Sequence, residues 1–292
     1  MRPEIAELQA ALERIGYIAE APIATALYLA TEMRKPLLIE GEAGVGKTEV
    51  AKALSRLLSA ELIRLQCYEG LDVHTALYEW DYPRQMLRVR MSEAEGSTPD
   101  EIERVIYSRE YLLERPLLAA ISRPKAPVLL VDEIDRADDG FEAFLLEVLS
   151  DFQVTIPELG TIRAAETPYV VLTSNRTREI GDALRRRCLY LYIEQPSFEK
   201  EVRIIRARVP QAGARLSEQI ARFLQALRGR RLLKAPGVAE TIDWAQALVR
   251  LHQDELDPDT VGETLGCLLK DRHDLQDLTR DDVSSLVAAA AP

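Results

Sequence analysis

Hydrophobic positions along this chain alternate between two periods. Leu8, Leu12 and Ile15 recur at helical spacing, Gly16 interrupts them, and residues 23–33 form a second apolar-periodic stretch, so residues 4–34 read as helices. Pro36-Leu37-Leu38-Ile39-Glu40 then breaks that period with a short, nearly continuous apolar run, the pattern of a strand covered on both faces. A glycine-rich turn leads into a helix over 48–59, and further strand runs occur at 62–67, 127–131, 169–173 and 189–193. Between them, 68–100 is mixed and rich in aromatics, with Gly96-Ser97-Thr98-Pro99 marking a loop. Residues 100–121 read as helical, 141–152 as an amphipathic helix, and the β-branched residues around Pro157 and Gly160 suggest a hairpin. After Gln195-Pro196 the strands stop, and 197–292 reads as helices only.

Five short apolar runs alternating with helices predict an α/β domain over residues 1–195, built on a five-stranded, mostly parallel sheet flanked by helices. The change of class predicts a small all-α domain over 196–292. No internal repeat is visible.

The turn after the first strand run carries the clearest chemistry. Gly41-Glu42-Ala43-Gly44-Val45-Gly46-Lys47-Thr48 fits G-x-x-x-x-G-K-[ST] at every fixed position. Glycines let the backbone turn tightly and aim successive N–H groups at phosphate oxygens, and the following helix adds its positive end. Lys47 is placed to reach the β- and γ-phosphates of a nucleotide, and the Thr48 hydroxyl to hold Mg²⁺. From average residue usage the motif arises by chance in on the order of one in a hundred chains of this length. A strand run before it and a helical run after it lower that further. These residues predict a P-loop NTPase that takes ATP with Mg²⁺.

Val128-Leu129-Leu130-Val131-Asp132-Glu133 is an apolar strand ending in two carboxylates, where open α/β sheets bind ligands. Asp132 is expected to orient Mg²⁺ through water, and Glu133 to polarise the attacking water. A second strand run ends in Thr173-Ser174-Asn175, with Asn175 a candidate to fix that water's position. Asp182-Ala183-Leu184-Arg185-Arg186-Arg187-Cys188 puts three arginines before the last strand. One reading is a basic helix end that complements the dipole. The other is an arginine finger that stabilises phosphoryl charge, often from a neighbouring subunit.

Bulk properties narrow the partners. Thirty-seven basic against forty-eight acidic residues give a net charge of −11, which disfavours general nucleic-acid binding. Cys67, Cys188 and Cys267 are widely spaced and form no metal or disulfide pattern, and His74, His252 and His273 form no motif. No apolar run is long enough to cross a bilayer and no signal core is present, so a cytoplasmic protein without an integral membrane segment is expected.

The order of phosphate loop, acidic strand end, polar sensor, arginines and helical lid resembles the AAA+ superfamily, and within it the MoxR family, over roughly residues 15–285. Cys67-Tyr68-Glu69-Gly70-Leu71-Asp72, Tyr78-Glu79-Trp80-Asp81-Tyr82-Pro83-Arg84-Gln85 and Glu240-Thr241-Ile242-Asp243-Trp244-Ala245 resemble the branch typified by CoxD. That branch is associated with maturing the metal centre of a molybdenum-containing carbon monoxide dehydrogenase. The resemblance implies a ring, usually a hexamer, a protein client such as a molybdenum hydroxylase, and a partner carrying a von Willebrand factor A domain. It implies that about 78–95 is an insertion in the second helix and about 153–164 a hairpin before the sensor strand, both facing pore or client. Arg187 best matches the finger position, with Arg186 as the alternate. Two departures stand out. Glu240 occupies the place where a second sensor arginine is expected, so that either Lys234 substitutes or the role is absent, and Arg176 follows the sensor Asn where many relatives have proline.

Three functions are weighed on this basis. They are an ATP-driven remodelling chaperone that activates a client metalloenzyme, a nucleotide-dependent scaffold with little turnover, and a nucleic-acid motor, which the charge disfavours.

Overall fold

The computed structural model describes residues 2–291, and the side chain of His74 lies outside the described residues. Nine strands are present among them: β1 Leu37–Gly41, β2 Leu62–Gln66, β3 Tyr78–Trp80, β4 Leu112–Glu114, β5 Val128–Asp132, β6 Gln153–Ile156, β7 Gly160–Arg163, β8 Tyr169–Ser174 and β9 Leu189–Ile193. Five of them form one sheet in the order β2-β5-β8-β1-β9, and β3-β4 and β6-β7 form separate two-stranded sheets. β2/β5, β5/β8 and β8/β1 pair in parallel. Every residue of β1 and β5 is buried, which is why both read as unbroken apolar runs. The edge strand β2 instead alternates, with Ile63 and Leu65 buried and Arg64 exposed between them.

The chain packs as two compact units. One holds Ala21–Glu40 and Thr48–Tyr192; the other holds Met1–Glu20, Gly41–Lys47 and Ile193–Pro292. This grouping is not linear along the chain: the helix Pro3–Arg14 and the glycine loop pack with the C-terminal helices. The first unit covers one face of the sheet with a core that includes Leu38, Leu65, Leu118, Leu129, Val131, Leu145 and Leu172, while Leu37, Ile39, Leu130 and Val171 on the other face are also buried. Residues 153–163 form the expected antiparallel hairpin, with Thr155 opposite Thr161.

Residues 100–121 are not one helix. A capping box between Thr98 and Glu101 starts the helix Pro99–Ile106, and the Gln85 amide takes the Ile106 carbonyl at 2.7 Å where it ends. The chain then turns into β4, which pairs antiparallel with β3 through Trp80 and Leu112. A new helix, Pro116–Ser122, begins at Pro116. Proline supplies no N–H and pushes the residue before it out of helical conformation, so Arg115 is extended and a continuous helix is broken there. The stretch 78–95 contributes β3 and the helix Tyr82–Ala94, which Asp81 caps by accepting from Arg84 N at 3.1 Å.

In the second unit the helices Phe198–Arg208, Gly213–Arg228, Val238–Arg250, Pro258–Leu268 and Arg280–Ala290 enclose Phe223 and Trp244, whose rings lie 5.1 Å apart. Trp244 Nε1 donates to Thr264 Oγ1 at 2.9 Å. Beside this apolar core sits a buried ion pair. Arg228 donates to both oxygens of Glu201 at 2.8 and 2.7 Å, and Thr241 Oγ1 adds a third donor at 3.0 Å. Arg228 Nε also holds the Pro236 carbonyl at 2.9 Å, so the pair positions the turn that precedes Val238–Arg250. Removing one partner of such a pair leaves a buried charge unmatched. Arg228→Met is therefore expected to cost about 3–5 kcal/mol of stability, and Glu201→Met with Arg228→Met together much less. Chemical denaturation of the two variants checks this ordering.

Candidate nucleotide site

The glycine loop follows β1 directly and runs into the helix Lys47–Leu58. Gly44 and Gly46 have φ of +82° and +95°, left-handed values that strain any residue with a Cβ. At Gly46 nothing lies within 4 Å of where a Cβ would stand, so the requirement there is conformational. At Gly44 it is also steric, because a Cβ would lie 2.8 Å from Gly237 Cα. Lys47 is buried, and its ammonium donates to the carbonyls of Gly41 and Glu42 at 2.8 and 2.6 Å. Val45 is buried, while Glu42 and Ala43 are exposed, with Glu42 accepting from Gln195 at 3.1 Å.

Gly44 is also held from the C-terminal helices. Val238 N donates to Gly44 O at 2.8 Å, and Gly237 packs its backbone on Gly44. Glu240 does not present its carboxylate as a sensor would. It accepts from Gly237 N at 3.0 Å and caps the helix Val238–Arg250. Lys234 is exposed, and its backbone N–H bonds to Asp274 at 3.0 Å.

Thr48 opens the helical part of the other unit, and its hydroxyl donates to Asp132 Oδ1 at 3.0 Å. Asp132 ends β5, 2 % exposed, with Gln66 opposite it on β2. Thr173, near the end of β8, donates through Oγ1 to Asp132 Oδ1 at 2.5 Å and accepts from Glu133 N at 2.9 Å. One hydroxyl thus fixes both acids. Glu133 sits at φ +56°, a left-handed conformation costing about 1–3 kcal/mol for a residue with a side chain. Its carboxylate accepts from Gln66 Nε2 at 3.2 Å and Arg136 Nε at 3.0 Å. A hydroxyl and a carboxylate at hydrogen-bond distance are the hard oxygen donors that Mg²⁺ takes, so the residues present fit that ion.

Asn175 follows β8 and is partly buried. Its loop is anchored on Asp135, which accepts from Asn175 N at 3.1 Å, Thr177 N at 3.0 Å and Thr177 Oγ1 at 2.6 Å. Burial raises the Asp135 pKa, but these hydrogen bonds outweigh it and hold the carboxyl below its ordinary value. Arg176 is left-handed at φ +61°, with its guanidinium over the Tyr192 ring at 5.8 Å. The three arginines separate in role. Arg185 pairs with buried Glu40 at 2.9 Å, whose other oxygen accepts from Tyr190 Oη at 2.9 Å. Arg186 and Arg187 are exposed. Cys67 and Cys188 are pushed up to about 12 by burial, which keeps both as neutral thiols.

A family model described as "AAA domain (dynein-related subfamily)" matches residues 36–188, just over half of the chain. The chain belongs to this AAA family. Among curated proteins, this AAA chain is 25 % identical to the gas vesicle ATPase GvpN of Haloferax mediterranei over 88 % of its own length and 74 % of that protein's. It is 30 % identical to the chaperone protein ClpB 1 of Nostoc sp. over 47 % of its length, spanning only 13 % of that protein. Among solved structures, a RuvB variant from Thermotoga maritima aligns with a TM-score of 0.51 at 17 % identity, over 94 % of this chain and 75 % of that one, a likeness of fold alone. The AAA chain is an ATPase, with a parallel five-stranded sheet and a helical C-terminal region. Among the described residues no helix is long and apolar enough to cross a membrane.

Arg64, Gln66, Thr173, Asp135 and Gly237 were not singled out by the sequence as parts of this arrangement. The spacing Gly237-x-x-Glu240 is the one signal that could have found a member, because an acid three residues into a helix can reach back to the N–H of the residue before it. The Asp135 anchor has a pH signature. Its folded-state pKa is lowered, so its stabilisation is complete above the ordinary value of 3.8 and is lost as pH falls through the lower folded value. The stability difference between the wild type and Asp135→Asn is expected to be largest near neutral pH and to shrink below pH 3.8. Unfolding midpoints across that range measure it.

Proposed function

We propose that this ATPase binds ATP with Mg²⁺ through Gly41–Thr48 and hydrolyses it with Asp132 and Glu133, as a MoxR-type remodelling chaperone acting on a client metalloenzyme. The observation that carries the reading is the Thr48 hydroxyl 3.0 Å from the buried Asp132 carboxylate, with Glu133 the next residue. When bound, Mg²⁺ supplies charge neutralisation at the phosphates. Lys47 contributes a second positive charge, and the N–H groups at Gly44 and Gly46 a donor cradle. Glu133 accepts the proton of the attacking water, and Asn175 orients that water. Arg187, exposed at the end of the helix Asp182–Arg187, serves as the finger delivered to a neighbouring subunit of a ring, with Arg186 as its alternate.

Relatives named as an ATPase and as a chaperone support the remodelling role. The CoxD-like segments support a client among molybdenum hydroxylases, with a von Willebrand factor A protein as co-partner and a hexamer as the ring. The Tyr82–Ala94 helix offers a client surface, because Tyr82, Met86, Leu87 and Met91 are all exposed on it. One observation favours a second reading. Glu240 is used up as a helix cap where a nucleotide-sensing arginine is expected, which suits a scaffold assembled by nucleotide binding with little turnover.

Glu133→Gln separates the two readings. It is expected to keep nucleotide affinity and lose about 10²–10⁴-fold in turnover, the usual contribution of a general base. Under the chaperone reading client activation falls with it; under the scaffold reading activation survives. Lys47→Ala is expected to lose nucleotide binding, read by equilibrium dialysis. Arg187→Ala should bind as the wild type does and hydrolyse about 10³-fold more slowly, and normal hydrolysis by this variant rejects Arg187 as the finger.

A further inference from the structure

Asp132 already has a cation. Arg64 and Gln66 stand on one face of the edge strand β2, opposite Leu130 and Asp132 of β5. From there Arg64 reaches Asp132 Oδ2 with two donors, Nε at 3.0 Å and Nη2 at 2.6 Å. Thr173 and Thr48 take Oδ1 at 2.5 and 3.0 Å. An ionised carboxylate offers about four acceptor positions, so these donors occupy it fully. The two partners differ in freedom. Asp132 has a side chain 3 % exposed, whereas that of Arg64 is 51 % exposed. A bare carboxylate at that depth carries a large desolvation penalty, and the guanidinium offsets it. Arg64 can leave for solvent at small cost because its far side is already hydrated.

Mg²⁺ and its waters need the same oxygens in the function proposed above, on which this inference rests. Two cations a few ångströms apart repel, and a divalent ion does so at twice the strength of a single charge. We propose that Arg64 is a tethered counter-cation for Asp132. It neutralises the carboxylate while no divalent ion is bound, competes with that ion, and sets the concentration at which the metal loads beside the nucleotide. Arg64 is a positioning residue rather than a catalytic one, since it acts through Asp132. Its Nη2 also bonds Gln66 Oε1, so its departure frees a side chain that contacts Glu133.

The test uses the full chain saturated with ADP and titrated with Mn²⁺ as a stand-in for Mg²⁺, with free Mn²⁺ read by its electron paramagnetic resonance signal. Arg64→Gln removes the competing charge and is expected to tighten Mn²⁺ binding about three- to tenfold, the range for a half-screened pair. Arg64→Lys keeps the charge and stays within about twofold of the wild type. Unchanged or weaker Mn²⁺ binding in Arg64→Gln, with ADP still bound, overturns this inference alone, because it makes Arg64 a mere orienter of Asp132. A wild-type chain that binds no ADP in equilibrium dialysis overturns the parent reading, and this one with it.

Discussion

The chemistry of this protein depends on one buried carboxylate. Asp132 sits at the end of a strand with no exposed residue, and Thr48, Thr173 and Arg64 all donate to its carboxylate there. Each donor comes from a different segment: the helix after the glycine loop, the neighbouring strand β8 and the edge strand β2. Burial makes the charge expensive, and that expense enforces the arrangement around it. Glu133 inherits its unusual backbone from the same construction, since the hydroxyl that bonds Asp132 also accepts its N–H.

The glycine loop obeys a different constraint. Two left-handed glycines shape it, and a third contact, Gly44 against Gly237, admits no side chain on either partner. Residues 237 and 238 therefore meet Gly44 through backbone alone, with Val238 N–H on the Gly44 carbonyl. The buried Glu201–Arg228 pair holds the turn on which that contact depends, through the Pro236 carbonyl. Glu240 accepts from Gly237 N and so serves as a helix cap beside that contact.

Much of this was legible in the chain. The phosphate loop, the acidic strand end and the five strands of the sheet are local patterns, in which function or burial dictates residue types at neighbouring positions. Other features were not legible for definite reasons. The helix expected over 100–121 is split because Pro116 cannot continue a helix and because β4 finds a partner in β3, about thirty residues away. Arg64 and Gln66 look like the solvated face of an edge strand, and only pairing of β2 with β5 puts them beside the acids. Thr173 and Asp135 are ordinary residues whose roles arise from the register of β8 against β5. Arg185 is indistinguishable in sequence from Arg186 and Arg187 until Glu40 claims it.

The sequence by itself determined the class of fold, the loop that turns on glycine, and the two acids at the end of β5. Each is encoded by residues adjacent along the chain, and local sterics and burial need no more than that. Tertiary structure alone decided which cation neutralises Asp132, which hydroxyl joins it to Glu133, and which glycine faces Gly44. Those choices rest on strand order and close backbone approach between residues separated by tens to nearly two hundred positions, and spacing along a chain carries no record of them.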